Sequence, residues 1–416
     1  MDRIVRAYLS ALLKRGCIEI ETASGARFMV GDGSSEKVGV RFTDNAAQIA
    51  FMLNPPMKFG ELFMEDRLQV TGGTMYDVLA AASVNLPRIR GFFWVRVLEG
   101  LHRIAHHISR HNTKMRARRN VAHHYDLDRH LYELFLDGDM QYSCAYFERD
   151  DDTLDTAQLA KKRHIAAKLL LTPGQRVLDI GCGWGGMALY LARACGAKVT
   201  GVTLSDEQLH VARQRAEDAN FSGTTDFRLQ DYRDVNERFD RIVSVGMFEH
   251  VGVEYYDAFF QKIARLLTDE GVALLHTIGR AGTPGPTSPW VTKYIFPGGY
   301  LPTMSEIATS VQKSGLFMTD IEVLRLHYAK TLRAWREKFM ARRAEAASLY
   351  DERFCRMWEF YLSAAESTFR YEDAVVFQIQ LAKKVDTVPL TRSYIAARET
   401  DLRRHDSAAF ALRIAG

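Results

Sequence analysis

Strand-like and helix-like patterns alternate through the central part of the chain. Short apolar stretches that favour strands are separated by segments whose apolar residues recur at the spacing of a helix. The strand-like stretches are residues 177–180, 198–204, 227–229, 240–245 and 272–277. Helical spacing follows in residues 187–194 and near 255–267, and Ser205 with Gln208 three residues later is typical of a capping box. This alternation predicts a mostly parallel β-sheet with helices packed on it.

The N-terminal region shows a mixture of short elements instead. Residues 6–14 carry apolar side chains at helical spacing, residues 17–21 alternate like a half-buried strand, and residues 31–35 predict a hairpin turn. We therefore predict a small α+β domain in residues 1–85, a linker in residues 86–119 and a large α/β domain in residues 120–416.

Two segments of the large domain do not fit the alternation. Residues 280–302 contain five prolines and are too long for a simple connection, which predicts a functional lid. Residues from about 335 to 370 predict a helical insertion that carries several large aromatic side chains. Those side chains would either pack in a core or line an apolar tunnel, and both interpretations stay open.

A glycine-rich turn follows the first strand of the large domain. The run Val-Leu-Asp-Ile-Gly-Cys-Gly-Trp-Gly-Gly covers residues 177–186 and joins that strand to the next helix. Glycine allows a sharp turn and lets a ligand approach the backbone without a β-carbon in the way. Open α/β sheets bind nucleotide-like ligands at the carboxyl ends of their strands, beside helix N-termini. The run therefore predicts a nucleoside cofactor, and by itself it leaves the choice of cofactor open.

Details around this turn favour S-adenosylmethionine over a dinucleotide. The run lacks the G-x-G-x-x-G spacing that fits a pyrophosphate, and Asp179 lies where its carboxylate can contact amino or hydroxyl groups of a ligand. The second strand ends without the acid with which a dehydrogenase holds a ribose. S-adenosylmethionine carries a sulfonium cation, which suits carboxylates and aromatic faces.

Composition narrows the setting in which the protein works. The 416 residues favour two or three domains, and no stretch approaches the roughly 18 uninterrupted apolar residues of a membrane span. No basic-then-apolar signal peptide opens the chain, and the five cysteines are scattered, so we expect a cytoplasmic protein without disulfides. The net charge of +4 is too small to imply a partner by itself.

Basic residues are nevertheless concentrated in one segment. Residues 102–119 contain six Lys and Arg residues and four His residues, and no acid interrupts them. Such a segment is either a solvated linker or a patch that meets an anionic surface, which would be nucleic acid or acidic lipid headgroups.

Several separate motifs resemble the cyclopropane-fatty-acyl-phospholipid synthase family, which includes the mycolic acid cyclopropane synthases. Besides the glycine run, the matching stretches are residues 141–147, 201–205 and 244–252, in the family's order and spacing. The resemblance extends from about Asn120 to the C-terminus. The N-terminal region resembles the smaller lipid-binding domain of the longer bacterial members.

The resemblance implies both a fold and a reaction. The fold would be that of a class I methyltransferase, a mostly parallel, seven-stranded, Rossmann-like sheet with a smaller α+β N-terminal lipid-binding domain. The reaction would transfer the methyl group of S-adenosylmethionine to a cis double bond of a phospholipid acyl chain, and loss of a proton would then close a cyclopropane ring. Because an alkene is a poor nucleophile, alignment must supply much of the rate, and the carbocation must be kept from water.

The resemblance also assigns residues to this reaction. A bound bicarbonate ion would act as the base, held by Cys144, Glu249, His276, Tyr328 and the backbone of Ile278. Tyr328 and His276 can donate hydrogen bonds to the anion, and Glu249 can accept the bicarbonate O–H. The cofactor residues would be Tyr142, Ser143, Asp179, Gly181, Cys182, Gly183, Gly185, Thr203, Leu204, Gln208, Asp231 and Tyr232, and no metal is implied. Asp231 would take the adenine amino group and Gln208 the ribose.

Other outcomes stay open. A carbocation that shifts and loses a different proton would give a methyl-branched, unsaturated chain, and hydration would give a methyl-branched hydroxy chain. A nucleic-acid methyltransferase could use the basic segment to hold phosphates, although the sequence has no Asn-Pro-Pro-Tyr motif and no Pro-Cys nucleophile. A lipid-binding protein without turnover is a third class, against which Glu249, His276 and Tyr328 argue.

These inferences together predict a peripheral enzyme at the inner membrane. The N-terminal domain and the basic segment would dock on an anionic bilayer, whose unsaturated phospholipids are the substrate, and no nucleic-acid partner is expected. The resemblance further implies a homodimer. The chain departs from some relatives at Ala365, where they carry a cysteine in a Leu-x-Ala-Cys context.

Overall fold

The computed structural model describes residues 1–86 and 129–414, so the basic segment 102–119 lies outside the described residues. The described chain forms two compact units. The first contains residues 1–86, 285–297 and 329–374, and the second contains residues 129–284, 298–328 and 375–414. The predicted domains had put residues 280–302 and 335–370 with the large sheet, whereas most of both segments belong to the first unit. Their local patterns gave helices and turns but no sign of the surface on which they pack.

The first unit is built around a four-stranded sheet with the strand order β2-β1-β3-β4. Its N-terminal elements are α1 (Asp2–Leu12), β1 (Cys17–Glu21), β2 (Arg27–Val30), β3 (Lys37–Phe42), α2 (Asn45–Leu53), α3 (Pro55–Met64), β4 (Leu68–Gly72) and α4 (Met75–Ser83). The predicted helix and strand in this region are confirmed as α1 and β1, and the predicted α+β character is confirmed with them.

The hairpin turn predicted at residues 31–35 is wrong. That segment joins β2 to β3, which do not pair, because β1 lies between them. The hairpin is formed by β1 and β2, and its turn is closed by a hydrogen bond from Thr22 N to Ala26 O (2.9 Å). The glycine-rich segment instead folds back on Gly16, whose N–H donates to Asp32 Oδ1 (2.9 Å).

The second part of the chain contains the larger sheet. In chain order its elements are α5 (Arg129–Phe135), α6 (Leu154–Lys168), β5 (Arg176–Ile180), α7 (Gly186–Cys195), β6 (Lys198–Thr203), α8 (Asp206–Asp218), β7 (Thr225–Leu229), β8 (Phe239–Val245), α9 (Tyr256–Leu266), β9 (Leu267–Arg280), α10 (Pro289–Tyr294), α11 (Met304–Ser314), β10 (Phe317–Leu324), α12 (His327–Ala341), α13 (Arg343–Leu349), α14 (Glu352–Tyr371), β11 (Ala374–Ala382) and α15 (Ser393–Ile414). The seven strands have the order β10-β11-β9-β8-β5-β6-β7.

Strand pairing confirms the predicted sheet. β5 pairs in parallel with β6 and with β8, β6 pairs in parallel with β7, and β8 pairs in parallel with β9. At the other side of this sheet, β10 pairs antiparallel with β11. The chain order reverses between β5 and β8, and a crevice at such a reversal is the usual ligand site of an open α/β sheet.

The helical insertion consists of three helices, α12 to α14, where the sequence pattern suggested one continuous stretch. The third helix has its own N-cap, because the Asp351 side chain accepts from Phe354 N (2.6 Å). Within the first unit this helix packs against α3 and α4: Arg356 Nε donates to Met64 O (3.0 Å), and Ser83 Oγ lies 2.8 Å from Ser367 Oγ.

The proline-rich segment is anchored within the first unit by α10. Trp290 is buried against Gly60, where an added Cβ would lie 2.4 Å from the indole nitrogen. The side chains of Lys293 and Tyr294 both donate to Glu61 Oε1, at 2.6 and 2.8 Å. The predicted lid role of this segment stays a prediction.

Candidate active site

A cavity lies at the carboxyl ends of β5, β6 and β8, where the strand order reverses. All but one of the predicted cofactor residues line it: Tyr142, Ser143, Asp179, Gly181, Cys182, Gly183, Thr203, Leu204, Gln208, Asp231 and Tyr232. Gly185 is the exception among the described residues. It is the N-cap of α7, and a Cβ there would lie 2.9 Å from the Phe227 ring, so this glycine serves close packing.

The glycine-rich turn shapes the floor of this cavity. Gly181 has a φ of +80°, and a Cβ on it would lie 2.8 Å from Cβ of Met247. The backbone N–H groups of Gly181 and Cys182 both donate to Val202 O, at 2.9 and 3.1 Å. The turn is therefore fastened to β6, and the absence of a side chain at residue 181 keeps the backbone open toward the cavity.

Asp179 is the next-to-last residue of β5 and lines the cavity. The residue is 2% exposed, and its Oδ2 has no hydrogen-bond partner within the described part of the chain. Burial raises the pKa of Asp179 to about 7, against the opposing effect of the Lys161 charge. A buried carboxylate with one oxygen that accepts no hydrogen bond is suited to a ligand group that carries positive charge or N–H donors.

Lys161 is a buried cation beside the cavity that the sequence analysis did not identify. Its Nζ donates to Gln141 Oε1 (2.7 Å) and to Ser143 Oγ (2.8 Å). Burial lowers the pKa of Lys161 to about 8, although nearby acids such as Asp137 oppose this. The lysine orients the 141–143 stretch that lines the cavity. No local pattern marked this lysine, because polar and apolar residues are mixed around α6 and the sequence does not show that the helix is buried.

Gln208 and Asp231 meet the cavity in different ways. Ser205 caps α8 by accepting from Gln208 N (3.3 Å), as predicted. The Gln208 side chain does not complete a capping box, because its Oε1 accepts from Thr203 Oγ1 (2.9 Å), which leaves its amide nitrogen as the group for a ligand. Asp231 holds Arg233 through both carboxylate oxygens, at 2.8 and 2.6 Å, so an adenine amino group would have to share this carboxylate.

Glu249 and Ile278 are in direct contact beyond the end of β8. Ile278 N donates to Glu249 Oε1 at 2.6 Å, whereas Glu249 Oε2 has no partner among the described residues. Burial raises the pKa of Glu249 to about 7, although the Ile278 N–H opposes this. The resemblance assigned the Ile278 backbone to bicarbonate, but in this structure its N–H binds the Glu249 carboxylate.

His276 lies on β9 next to the cavity wall. Its backbone O accepts from Gly246 N (2.9 Å), and Gly246 lines the cavity. The imidazole is buried; Nδ1 lies 3.2 Å from Gln378 Nε2, and Nε2 has no partner within residues 1–86 and 129–414. Burial, together with the charge of Lys161, holds the pKa of His276 well below its usual value, so this side chain is neutral.

Cys144 and Tyr328 complete the predicted catalytic set. Cys144 is buried, and its Sγ–H donates to Ala145 O (3.3 Å). The charge of Lys161 acts on both Cys144 and His276. Tyr328 is buried at the start of α12, one residue after His327. Phe147 N donates to His327 Nδ1 (3.0 Å), so the 141–147 motif is fastened to the start of that helix.

Ile180 and Trp184 of the glycine-rich run line the cavity too. The lining residues that the sequence did not predict are Met140, Gln141, Met187, Val202, Gln230, Arg233, Val245, Gly246, Met247, His250, Val251 and Tyr255. Several of these residues belong to the motifs at 141–147, 201–205 and 244–252, and their place in those motifs could have predicted them. Burial lowers the pKa of His250 to about 4, so it is a neutral lining residue. The part of the chain that the structure describes contains no His, Cys, Asp or Glu cluster arranged to hold a metal ion.

Comparison with known proteins shows the family to which the chain belongs. A family model described as mycolic acid cyclopropane synthetase matches residues 112–379. Cyclopropane-fatty-acyl-phospholipid synthase of Escherichia coli K12 is 48% identical over 263 residues, which cover 63% of this chain and 67% of that protein. Tuberculostearic acid methyltransferase UfaA1 of Mycobacterium tuberculosis is 38% identical over 339 residues, which cover 78% of each chain.

A solved structure is similar to a large part of this chain. Mycolic acid cyclopropane synthase CmaA1, complexed with SAH and CTAB, is 37% identical and has a TM-score of 0.61; the match covers 64% of this chain and 97% of that one. The predicted methyltransferase fold is confirmed. The chain belongs to the mycolic acid cyclopropane synthetase family of S-adenosylmethionine-dependent methyltransferases.

Proposed function

We propose that this chain acts as a cyclopropane-fatty-acyl-phospholipid synthase. It would methylate a cis double bond of an unsaturated phospholipid acyl chain and close a cyclopropane ring by loss of a proton. The observation that carries this proposal is that Glu249 Oε2 and His276 Nε2 are buried without a partner in the described chain, each in a residue next to one that lines the cavity, His250 and Gly246. A relative with this name, 48% identical over 263 residues, supports it.

The cavity has the chemistry to hold S-adenosylmethionine. When bound, this cofactor supplies an electrophilic methyl group on a sulfonium. The vacant oxygen of Asp179 fits the ammonium of its methionine part, and the amide nitrogen of Gln208 fits a ribose hydroxyl. Trp184 and Tyr142 also line the cavity, and Tyr132 packs on both rings at centroid distances of 5.0 and 5.4 Å.

The buried pair also fits a small oxyanion, which would be bicarbonate. When bound, bicarbonate supplies the base that removes the proton. An anion beside Glu249 would be repelled unless a proton lies between them, and the bicarbonate O–H or a protonated Glu249 provides one. A neutral His276 can donate one hydrogen bond to the same anion. Both side chains are buried, which excludes water that would convert the carbocation to an alcohol.

We further propose that the enzyme works at the surface of an anionic bilayer at the inner membrane, as a homodimer. None of the described helices combines the length and apolar content of a membrane span. Two exposed apolar side chains of the first unit, Ile49 and Leu53, support a surface contact, as does the basic segment at 102–119.

Vesicles test the surface contact. Reversing Arg116, Arg118 and Arg119 to Glu should lower turnover on anionic vesicles and leave turnover on detergent-dispersed lipid unchanged. If the wild-type protein and the triple variant have equal turnover on anionic vesicles, the basic segment has no part in docking. Sedimentation equilibrium tests the homodimer, and a mass of one chain at working concentration would contradict it.

Product analysis tests the reaction. The purified protein would be incubated with S-adenosylmethionine and vesicles of a cis-monounsaturated phospholipid, and the acyl chains measured by mass spectrometry before and after mild hydrogenation. A gain of one CH₂ that then takes up no hydrogen supports the cyclopropane. Acyl chains of unchanged mass would contradict the proposal.

A methyl-branched product is the second candidate. It is favoured by the relative named tuberculostearic acid methyltransferase, whose similarity extends over 78% of this chain. The first step would be the same, but the proton would be lost from the acyl chain. A gain of one CH₂ with a double bond that hydrogenation removes would identify this outcome.

A further inference from the structure

A row of polar side chains crosses three neighbouring strands of the larger sheet and ends at His276. His276 is on β9, Gln378 on β11 and Glu322 on β10, and these strands are adjacent in that order. Gln378 Nε2 lies 3.2 Å from His276 Nδ1, and the backbone of Gln378 pairs with that of Glu322. Polar groups are costly inside a sheet unless they are hydrogen-bonded, so this row needs a physical explanation.

Helix α6 places two further side chains over this row. Lys168 is buried, and its Nζ donates to Gln378 Oε1 (2.9 Å) and to Glu322 Oε2. One turn earlier, His164 connects Glu322 Oε2 (2.7 Å) to Glu399 Oε1 (2.6 Å) on α15. The result is a continuous chain of hydrogen bonds from Glu399 to the site beside the cavity.

The charges in this chain of hydrogen bonds balance locally. Despite burial, the hydrogen bonds of His164 and the charge of Lys168 hold the pKa of Glu322 well below its usual value, so Glu322 is ionised. Burial opposes protonation of His164, but its bonds to Glu322 and Glu399 raise its pKa. Asp320, whose carboxylate lies 3.7 Å from Lys168 Nζ, is itself held by Arg392. Burial lowers the pKa of Lys168, but the Glu322 hydrogen bond and the charges of Glu322 and Asp320 oppose this and favour the ammonium form.

The direction of each hydrogen bond follows from the ammonium group. An ammonium has donors and no acceptor, so Gln378 must present its carbonyl oxygen to Lys168. The Gln378 amide NH₂ then faces His276, and Nδ1 of His276 must accept. A neutral imidazole has one protonated nitrogen, so its proton lies on Nε2, the atom left without a partner beside the cavity.

We propose that Lys168 and Gln378 are positioning residues that hold His276 in the tautomer protonated on Nε2, so that it presents a fixed N–H donor to the active site. The same arrangement prevents His276 from acting as a base through Nε2. This inference rests on the proposed function only in naming bicarbonate as the acceptor. The tautomer itself follows from the donors and acceptors of the chain.

Nuclear magnetic resonance measures the tautomer directly and without turnover. In protein labelled with ¹⁵N-histidine, long-range proton–nitrogen spectra distinguish a protonated ring nitrogen from an unprotonated one. A His276→Asn variant identifies the His276 signals by their loss. We expect a protonated Nε2 and an unprotonated Nδ1 in the wild-type protein. A protonated Nδ1 would overturn the inference.

Gln378→Glu tests the cause. The substitution keeps shape but places a carboxylate oxygen against Nδ1, so Nδ1 should become protonated. Gln380→Glu is the matched control: Gln380 lies on the same face of β11 and is equally buried, but its partners are Lys168 O, Tyr394 and Thr319 rather than His276. The control should leave the His276 signals unchanged. If Nδ1 of His276 stays unprotonated in Gln378→Glu, the inference is overturned.

A second variant and a kinetic readout complete the test. Gln378→Met removes the donor without adding charge and should let both tautomers appear, and it remains informative if the charged variant does not fold.

In folded Gln378→Glu, kcat should fall roughly 10²-fold, as for loss of one positioned donor, with KM for S-adenosylmethionine unchanged. The bicarbonate concentration for half-maximal rate should rise. If the wild-type protein shows the expected tautomer but makes no cyclopropane, the inference stands and the proposed function fails.

Discussion

Asp179 and Glu249 are two buried carboxyl groups at the ends of neighbouring parallel strands, and they have much in common. Asp179 is the next-to-last residue of β5, and Glu249 follows the end of β8, which pairs with β5. Burial raises the pKa of each to about 7, and each has one oxygen without a partner in the described chain. By pKa alone they would be assigned the same role.

Their neighbours differ, and the difference separates binding from proton handling. Asp179 shares its surroundings with the Lys161 cation and opens into the cavity with the glycine turn. Glu249 is oriented by the Ile278 N–H, in a site where His276 is neutral. The first arrangement suits a cationic ligand group, and the second suits a proton held between two oxygens. A shifted pKa therefore marks a site, but only the partners show what the site does.

Replacing Glu249 should have the largest effect on turnover. In Glu249→Gln, the Ile278 N–H would take the amide oxygen, so an NH₂ group, which cannot accept a proton, would face the site. We expect kcat to fall roughly 10³-fold, within the range for loss of an acid–base group. Binding of S-adenosylhomocysteine, measured by calorimetry, should stay within about twofold. Weaker binding with an unchanged rate for the bound enzyme would reverse the two roles.

Replacing Asp179 should affect binding more than chemistry. Asp179→Asn removes a charge-assisted hydrogen bond, which contributes about 1.5–3 kcal/mol. The Kd of S-adenosylhomocysteine should therefore rise roughly 10- to 100-fold, while kcat at saturating cofactor changes only a few-fold. A calorimetric Kd equal to that of the wild-type protein would remove Asp179 from the cofactor site.

The pH dependence of binding should distinguish the same two groups. In the proposed cofactor site the ionised form of Asp179 would bind the ammonium, and because burial raises its pKa to about 7, protonation would compete as the pH falls. The Kd of S-adenosylhomocysteine should rise about tenfold per pH unit below about 7 and level off above it. The Glu249→Gln variant should keep this dependence and Asp179→Asn should lose it. A flat profile in the wild-type protein would mean that Asp179 is not the titrating partner.

Substitution of the turn glycines should have the smallest effect, on stability first. Gly181→Ala combines a positive φ with a Cβ 2.8 Å from Met247, so the free energy of unfolding should fall by about 2–3 kcal/mol. Gly183→Ala, with φ at +53° and open space around the Cβ, should lose only about 1 kcal/mol. Urea unfolding measures both values. Equal losses would show that the contact with Met247 does not limit residue 181.

The sequence sufficed for the parallel core of the larger sheet and for much of the cavity. The hydrophobic pattern of apolar strands and amphipathic helices indicates which of their residues are buried. The strands β5, β6, β8 and β9 were therefore predictable from local pattern. The cavity residues could be predicted because they belong to short motifs at strand ends. The hairpin turn at residues 31–35 was wrong because a glycine-rich turn does not state which strands it joins.

The remaining features depend on contacts between distant parts of the chain. Lys161 and Lys168 look like solvated charges in the sequence, and only the burial of α6 shows that they orient Ser143 and Gln378. Gln378 lies 102 residues from His276, and no local pattern joins them. For the same reason, the sequence could not show that residues 285–297 and 329–374 group with the N-terminal elements.

The most direct test of ring closure uses S-adenosylmethionine whose methyl group is fully deuterated. The protein would be incubated with this cofactor and with vesicles of a cis-monounsaturated phospholipid, and the deuterium in each methylated acyl chain counted by mass spectrometry. Closure of a cyclopropane removes one deuteron from the transferred carbon, so we expect products that retain two. Products that retain all three deuterons would show that the proton leaves from the acyl chain, and would contradict ring closure beside Glu249 and His276.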